Sequence, residues 1–211
     1  MSSKVGLILG STRQHSNTFG ISEYLLSRIN SSHPQMTIER IHLSQSSGHP
    51  LPLIIEDYIP ASHPLSSLPE AYSDESIRKW SKTVLGWDGL IVLSPQYNWG
   101  YPAPLKNAFD HLFNEWNGLP VAIATLGGHG GSKAHEQLKV VLGGGCKMIL
   151  VEKGLQVDLP RELIVSSEER VKGDEEWLRR YDEEVEEMID GLVEAMEKKR
   201  EKHIDAQTER A

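Results

Sequence analysis

Short apolar segments that stop abruptly at polar loops constrain the fold of this chain more than any other feature of its sequence. Residues 5–9, 90–93 and 121–126 are three such segments, each with the length and continuous apolar character of a strand buried on both faces. A helical pattern follows each of them, and this alternation predicts an α/β fold with a parallel sheet. Because ligands bind outside the carboxyl ends of the strands in such sheets, we expect the three loops to share one crevice.

Two further strands complete the predicted sheet. Residues 36–43 form the second strand in chain order, and residues 148–151 form a fifth strand that continues loosely to residue 157. Between the second strand and the next helix lies a loop at residues 44–74 that is rich in Ser, Pro and His. Loops of this length are often functional or mobile. This one is too apolar for a free linker, so we expect it to pack on the body of the protein through Leu51, Leu53, Ile54, Ile55 and Tyr58.

The helix starts are predicted from residues that favour first-turn positions. Asn17 or Thr18 is expected to cap the first helix, Ser73 the second and Ser132 the helix that follows the fourth strand. Pro104 is expected at a first helical position, where its missing N–H costs nothing.

The C-terminal part differs from the rest of the chain in charge and pattern. From Glu168 onwards the chain holds 16 of its 30 acidic and only 9 of its 22 basic side chains, and so carries nearly all of the net charge of −8. An amphipathic helical pattern starts near residue 166. We therefore expect an α/β domain at residues 1–165 and an acidic helical extension at 166–211 that frays beyond Met196. Its first half is expected on the sheet, with a short coiled coil to a partner as the alternative.

Composition excludes several classes of function and location. The body carries no cluster of Lys and Arg, so we expect no nucleic-acid partner. No apolar run reaches the length of a membrane span, so we expect no membrane association. The single cysteine, Cys146, fits a reducing compartment, and with no signal peptide expected the protein is predicted to be cytoplasmic. Cys146 is expected to be a small buried residue, and no pair of histidines has metal-ligand spacing.

The loop at residues 10–18, GSTRQHSNT, leads from the first strand into a helix N-terminus. That geometry presents free backbone N–H groups to an anion, while Ser11, Ser16 and Thr18 add hydroxyl groups and Arg13 adds a charged fork. The loop matches neither the dinucleotide nor the triphosphate fingerprint, which favours a monophosphate. An ordinary polar turn explains the same composition about equally well.

The loops after the third and fourth strands offer complementary groups to a flat ligand. Pro95, Gln96, Tyr97 and Asn98 combine a fixed backbone with two amides and an aromatic ring, a set suited to a planar heteroaromatic molecule. The aromatic side chains that follow cover either a ligand or a neighbouring surface. In the later loop, GGHGGS, the four glycines allow close approach of the backbone. These glycines are Gly127, Gly128, Gly130 and Gly131.

The strings GSTRQHSNT, SPQYNWGYPAPLKNAFDHL and LGGHGGSKAHEQL together resemble the NADPH-dependent FMN reductase family, which includes quinone, chromate and azo-dye reductases. The resemblance covers roughly residues 4–155. It implies a flavodoxin-like fold, in which a five-stranded parallel sheet carries helices on both faces. Many relatives have Glu where this chain has Gln96, so any role for a charge at that position lapses here.

The resemblance also implies a cofactor site. The phosphate of FMN would be held by the loop after the first strand, and the isoalloxazine ring would lie against the loop after the third strand, with the glycines beneath its pyrimidine side. The residues implied at the phosphate are Ser11, Arg13, Ser16, Asn17 and Thr18. Those implied at the ring are Pro95, Gln96, Tyr97, Asn98, Gly127, Gly128, Gly130 and Gly131.

The activity that follows is an FMN-dependent oxidoreductase with no catalytic side chain of its own. A hydride would pass from NADPH or NADH through bound FMN to quinone-like or other small acceptors in a ping-pong mechanism. The alternative is a flavin-binding electron carrier or redox sensor without significant NADPH turnover. The resemblance implies a homodimer or homotetramer that meets at the helix holding Lys106 and Asp110. No metal is expected.

Overall fold

A computed structural model describes residues 3–44, 49–53, 56–166 and 168–208 of the chain. The parts of the expected loop at 45–48 and 54–55 therefore lie outside the described residues, as do the last residues of the expected extension. Within the described part, six strands form one sheet in which every strand pairing is parallel. The strands are β1 (Ser3–Leu9), β2 (Met36–His42), β3 (Gly89–Pro95), β4 (Pro120–Gly127), β5 (Ile149–Leu150) and β6 (Leu155–Asp158).

The order of the strands confirms the expected flavodoxin-like fold. The sheet runs β2-β1-β3-β4, and both β5 and β6 pair with β4 on its outer side. The predicted fifth strand, which was expected to continue loosely, is thus two short strands in one position of the sheet. The chain between them approaches β4 closely at Gly154, where an added Cβ would lie 2.7 Å from the carbonyl oxygen of Ile123.

Helices cover both faces of the sheet, as the fold class requires. They are α1 (Asn17–Ser32), α2 (Glu75–Leu85), α3 (Ala103–Asp110), α4 (Ser132–Lys139), α5 (Arg161–Val165) and α6 (Asp182–Thr208). A π-helical turn, Val140–Gly145, extends α4, and a 3-10 segment, Glu176–Tyr181, leads into α6. None of the helices in the described part of the chain is both long and apolar enough to cross a membrane.

Two hydrophobic cores lie on opposite faces of the sheet because successive strand residues point in opposite directions. In β1, Leu7 and Leu9 enter the core formed with α1 and α6, whereas Ile8 enters the core formed with α2, α3 and α4. The central strands are therefore buried on both faces. This burial explains why they appear in the sequence as unbroken apolar runs.

The apolar stripe of α6 packs into the first of these cores. Side chains from Leu178 to Met196 lie there beside α1 and the strands, with Met188 and Leu192 fully buried. The stripe is therefore already buried within the chain. As far as Met196, it is not available to form a coiled coil with a partner. The helix continues to Thr208, and fraying of its end stays a prediction.

Three predicted helix caps are wrong, each by about one residue. Ser16, not Asn17 or Thr18, caps α1, because its Oγ accepts from the N–H of Phe19 at 3.3 Å. Asp74, not Ser73, caps α2, and its carboxylate accepts from Ser76 and Ile77. Ser132 begins α4 instead of capping it.

Candidate functional site

The three loops predicted to meet do lie together at the carboxyl edge of the sheet. Backbone hydrogen bonds tie each loop to its neighbour, from Gly10 N–H to the carbonyl oxygen of Leu93 (2.8 Å) and from Gln96 N–H to that of Leu126 (3.1 Å). A third bond joins Leu159 N–H to the carbonyl oxygen of Gly127 at 3.0 Å. This last bond brings in a fourth segment, the chain that follows β6, which the sequence did not suggest.

These loops enclose a cavity of about 200 Å³. Ten of the predicted site residues line it: Ser11, Arg13, Ser16, Asn17, Thr18, Pro95, Gln96, Tyr97, Gly127 and Gly128. Asn98, Gly130 and Gly131 do not line this cavity. Asn98 is exposed in a tight turn between Tyr97 and Gly100, and the two glycines are buried.

Contacts between the first and third loops organise the end of the cavity beside α1. The Ser11 and Tyr97 hydroxyl oxygens lie 3.0 Å apart, and the N–H of Arg13 donates to Ser11 Oγ at 3.3 Å. The Arg13 guanidinium carbon lies 4.6 Å from the centre of the Tyr97 ring, a distance typical of a cation–π contact. Arg13 is thus oriented over an aromatic face and forms no ion pair with any described residue, so its donors remain available to an anion.

The Asn17 side chain has a structural task at the same end. Its Nδ2 donates to the carbonyl oxygen of Leu163 at 2.8 Å, and its Oδ1 accepts from Val171 N–H at 3.0 Å. The side chain therefore fastens the chain after β6, and only the Asn17 backbone, in the first turn of α1, is left for the predicted phosphate contact.

Gln96 caps the helix that follows the glycine loop. Its Oε1 accepts from Lys133 N–H at 3.0 Å and from Ala134 N–H at 3.3 Å, and so takes the role expected of Ser132. One side chain therefore joins the loop after β3 to the N-terminus of α4. The bond leaves Nε2 as the Gln96 group that can donate to a ligand.

The four predicted glycines divide into two pairs. A Cβ on Gly128 would meet only the Ile164 Cδ1 atom, at 3.8 Å, so a side chain there would occupy the cavity. Gly127 also lines the cavity and has a φ of +149°. Gly130 and Gly131 have φ values of +66° and +70°, and a Cβ would lie 2.8 Å from Gln156 and 2.9 Å from Leu126 respectively. Their lack of a side chain is required by the neighbouring chain.

Six residues of the cavity wall were missed by sequence reasoning. They are His15, Leu126, Leu159, Leu163, Ile164 and Arg170. Four of them belong to the segment at residues 159–173, hereafter the wall segment, of which residue 167 is not described. The available signal was the charge of Arg170, a cation within an acidic stretch whose partner the sequence did not reveal.

Two titratable groups, His135 on α4 and Cys146 just after its π-helical turn, are buried and uncharged. Burial, followed by the charge of Lys139, lowers the pKa of His135 to about 4. Its Nδ1 lies 3.4 Å from the Thr125 hydroxyl oxygen, and that hydroxyl donates to the carbonyl oxygen of Gly130. Burial raises the pKa of the Cys146 thiol to about 11. The thiol therefore stays protonated near neutral pH and is a poor nucleophile, as predicted. Within the described residues, no three His, Cys, Asp or Glu side chains cluster in a way that could hold a metal ion.

A wider groove of about 800 Å³ lies elsewhere, between β5 and α6. Its lining holds four carboxylates beside four lysines, and two of these lysines are already paired: Lys153 lies 3.6 Å from Glu187 and Lys198 lies 2.5 Å from Glu194. The smaller cavity at the strand ends has no such compensation and is the better candidate for an anionic ligand.

Comparison with known proteins decides the family. The sequence model for NADPH-dependent FMN reductases matches residues 3–158, which is most of the chain. The chain belongs to the NADPH-dependent FMN reductase family. This assignment confirms the predicted resemblance, the oxidoreductase class and FMN with NAD(P)H as cofactors.

Relatives with established names agree. The chain is 40% identical over 163 residues to a Saccharomyces cerevisiae protein named NAD(P)H-dependent FMN reductase, covering 74% of this chain and 81% of the relative. It is 32% identical over 143 residues to an NADPH:quinone oxidoreductase of Arabidopsis thaliana, covering 65% of each.

Solved structures support the fold alone, because their sequences are distant. The flavoenzyme NAD(P)H:(acceptor) oxidoreductase of Paracoccus denitrificans superposes with a TM-score of 0.66 at 19% identity, covering 92% of this chain and 98% of that one. RosB, solved with a bound riboflavin-5′-phosphate derivative, gives a TM-score of 0.64 at 14% identity, covering 99% and 86%.

Proposed function

We propose that this chain binds FMN in the strand-end cavity and passes electrons from NAD(P)H to quinone-like or other small acceptors in a ping-pong reaction. The observation that carries the proposal is the composition of the cavity wall. Hydroxyl and guanidinium groups collect at the N-terminus of α1, and an amide, an aromatic ring and bare glycine backbone collect beside them. These are the groups that a phosphate tail and a flat polar ring require.

At the anionic end, the residues of the first loop hold the phosphate. Ser11 and Arg13 are already oriented through Tyr97, and the cap at Ser16 fixes the first turn of α1. The backbone N–H groups of that turn and the positive end of the helix dipole add to the attraction. Thr18 is buried beneath this end of the cavity.

At the ring end, Pro95, Gln96 and Tyr97 support one side of the flavin and the backbone of Gly127 and Gly128 the other. Gln96 Nε2 and the glycine-loop N–H groups are the donors that stabilise negative charge at the pyrimidine edge. When bound there, FMN would supply the electron-transfer chemistry between NAD(P)H and the acceptor. No acid, base or nucleophile from the chain is assigned to the reaction.

The quaternary and cellular context is proposed from the exposure of one aromatic side chain and from the cysteine content. We propose a homodimer or homotetramer, because Trp99 is 72% exposed beside the cavity loop although its carbonyl oxygen is fixed by Gln137 Nε2 at 3.1 Å. Trp side chains are enriched at protein interfaces because they combine a large apolar body with a polar N–H, so an exposed Trp beside the cavity favours a protein contact. A cytoplasmic location agrees with a single cysteine in the whole sequence.

The proposal is tested with the purified full chain. We expect a yellow protein, or an apoprotein that takes up FMN and quenches its fluorescence, and we expect the bound flavin to bleach on anaerobic addition of NADPH. Initial rates with a quinone at several fixed NADPH concentrations should give parallel double-reciprocal lines, the pattern of a ping-pong mechanism. A protein that takes up no FMN overturns the site. A flavin that NADPH bleaches but quinones do not reoxidise overturns the acceptor class.

A further inference from the structure

The charged lining of the strand-end cavity is unusual for this chain. The whole sequence has 30 acidic against 22 basic residues, yet no Asp or Glu lines the cavity within the described part of the chain. Arg13 and Arg170 do line it, and neither belongs to an ion pair among the described residues. Two cations that face one cavity without a carboxylate create a field that favours an anion.

The Arg170 guanidinium is held through two of its three nitrogens. Its Nη1 donates to the carbonyl oxygens of Ser166 (2.8 Å) and Glu169 (2.6 Å), and its Nε donates to that of His15 at 3.3 Å. No described residue accepts a hydrogen bond from Nη2. A guanidinium anchored by its other nitrogens has lost most of its rotational freedom before a ligand arrives. Such preorganisation reduces the entropy that binding has to overcome.

The wall segment that carries Arg170 is attached to the predicted phosphate loop. The Asn17 side chain forms hydrogen bonds to Leu163 and Val171, which lie before and after Arg170 in the sequence. Arg170 itself donates to His15, inside the loop. Leu159 and Val171 are buried in the core, which fixes the segment at both ends. The position of Arg170 is therefore set by the same residues that form the N-terminus of α1.

We infer that Arg170 is a second cationic ligand of the flavin phosphate, positioned by the Asn17 side chain and acting together with Arg13. The inference rests on the proposed function, since it concerns the same cavity. It extends the site beyond the three strand-end loops to a segment of the C-terminal part of the chain. It also gives the amide of Asn17 a positioning role that differs from direct contact with the phosphate.

The test compares two flavins that differ only in the phosphate. We expect Arg170→Gln to weaken FMN binding about 10- to 100-fold in fluorescence titrations with apoprotein, the usual effect of losing a charge-assisted hydrogen bond. Riboflavin has no phosphate, so its affinity should change less than about twofold. Arg170→Lys, which keeps the charge without the fork, should recover part of the FMN affinity.

Two controls separate a phosphate contact from a general loss of structure. Arg161→Gln removes a guanidinium from the same segment at an exposed position outside the cavity lining, and it should leave both affinities unchanged. The FMN affinity of the parent protein should also fall more steeply with added NaCl than that of Arg170→Gln, because salt screens the charge that the variant lacks.

Each outcome of the titrations decides something. Equal losses for FMN and riboflavin in Arg170→Gln would overturn the inference and make Arg170 a support of the wall only. Unchanged FMN affinity would overturn it as well. A parent protein that binds neither flavin would instead overturn the proposed function, and the inference with it, so the two failures are distinguishable.

Discussion

Gly20 of α1 packs directly against the carbonyl group of Val171, so closely that an added Cβ would lie 1.9 Å from its oxygen. Val171 lies at the end of the wall segment, next to Arg170. The first helix and the C-terminal part of the chain are thus in backbone contact at a position where no side chain fits. A glycine inside a helix ordinarily lowers stability, so its presence here is explained by the neighbour and not by the helix.

The first prediction is that Gly20→Ala destabilises the protein by about 1–3 kcal/mol, the usual cost of overpacking. In an unobstructed helix the same change would stabilise it by about 0.5–1 kcal/mol. Chemical denaturation monitored by circular dichroism measures the difference. Gly144→Ala is the matched control, because an added Cβ there meets nothing within 4 Å. A Gly20→Ala protein at least as stable as the parent would show that the contact with Val171 is not tight in solution.

The second prediction concerns the cap that Gln96 provides to α4. Gln96→Ala removes the acceptor for the N–H groups of Lys133 and Ala134 and should lower the free energy of unfolding by about 0.5–2 kcal/mol. Gln96→Glu keeps an acceptor at the positive end of the helix and should be as stable as the parent. Thermal unfolding of the three proteins without flavin measures this, and equal losses in both variants would contradict the capping role.

The third prediction uses the free space at Gly128. Because a Cβ there meets only Ile164, Gly128→Val should place its side chain in the cavity and weaken FMN binding at least about tenfold with little change in stability. Gly130→Ala should do the reverse. Its φ of +66° and the nearby Gln156 make any side chain costly to the fold, although Gly130 does not line the cavity. Fluorescence titration with FMN and thermal unfolding distinguish the two, and similar profiles would refute the division of the glycines into pairs.

How much of this site could be foreseen depends on the sequence distance between its parts. The three loops were predictable because each follows its own apolar run and contains its own Gly, Pro and hydroxyl residues. The wall segment was not, because Asn17 reaches Leu163 and Val171 across 146 and 154 residues of sequence. No periodicity or spacing records such a contact. The cap at Gln96 was missed for the same reason, since its partners lie 37 and 38 residues further on.

The same distinction explains the errors in the fold. The parallel sheet follows from the alternation of strands and helices, which local patterns reveal. Its flavodoxin-like arrangement was implied by the family resemblance. The split of the fifth strand into β5 and β6 depends on the close approach of Gly154 to β4, which is a tertiary contact. The placement of α6 on the sheet was predicted for its first half from its apolar stripe. The stripe packs there as far as Met196 because the first core continues that far.

The fourth prediction is a loss of stability at mildly acidic pH that originates at His135. This ring is 4% exposed, its Nδ1 lies 3.4 Å from the Thr125 hydroxyl oxygen, and that hydroxyl donates to the carbonyl oxygen of Gly130 at 2.8 Å. Burial lowers the pKa of the folded-state imidazole to about 4, whereas an unfolded chain has a His pKa of about 6.5. Between these values the unfolded state takes up a proton that the folded state refuses. Stability is therefore complete above about pH 6.5 and declines as the pH falls towards 4.

The measurement is the free energy of unfolding at several pH values for the parent and for His135→Gln, which cannot take up the proton. The contribution of one histidine approaches about 1.4 kcal/mol per pH unit, so between pH 6 and 5 the parent should lose about 1 kcal/mol more than the variant. The comparison cancels the effects of the other histidines and of the carboxylates, which both proteins share. Parallel stability curves for the two proteins would mean that the imidazole is not held neutral in the folded state.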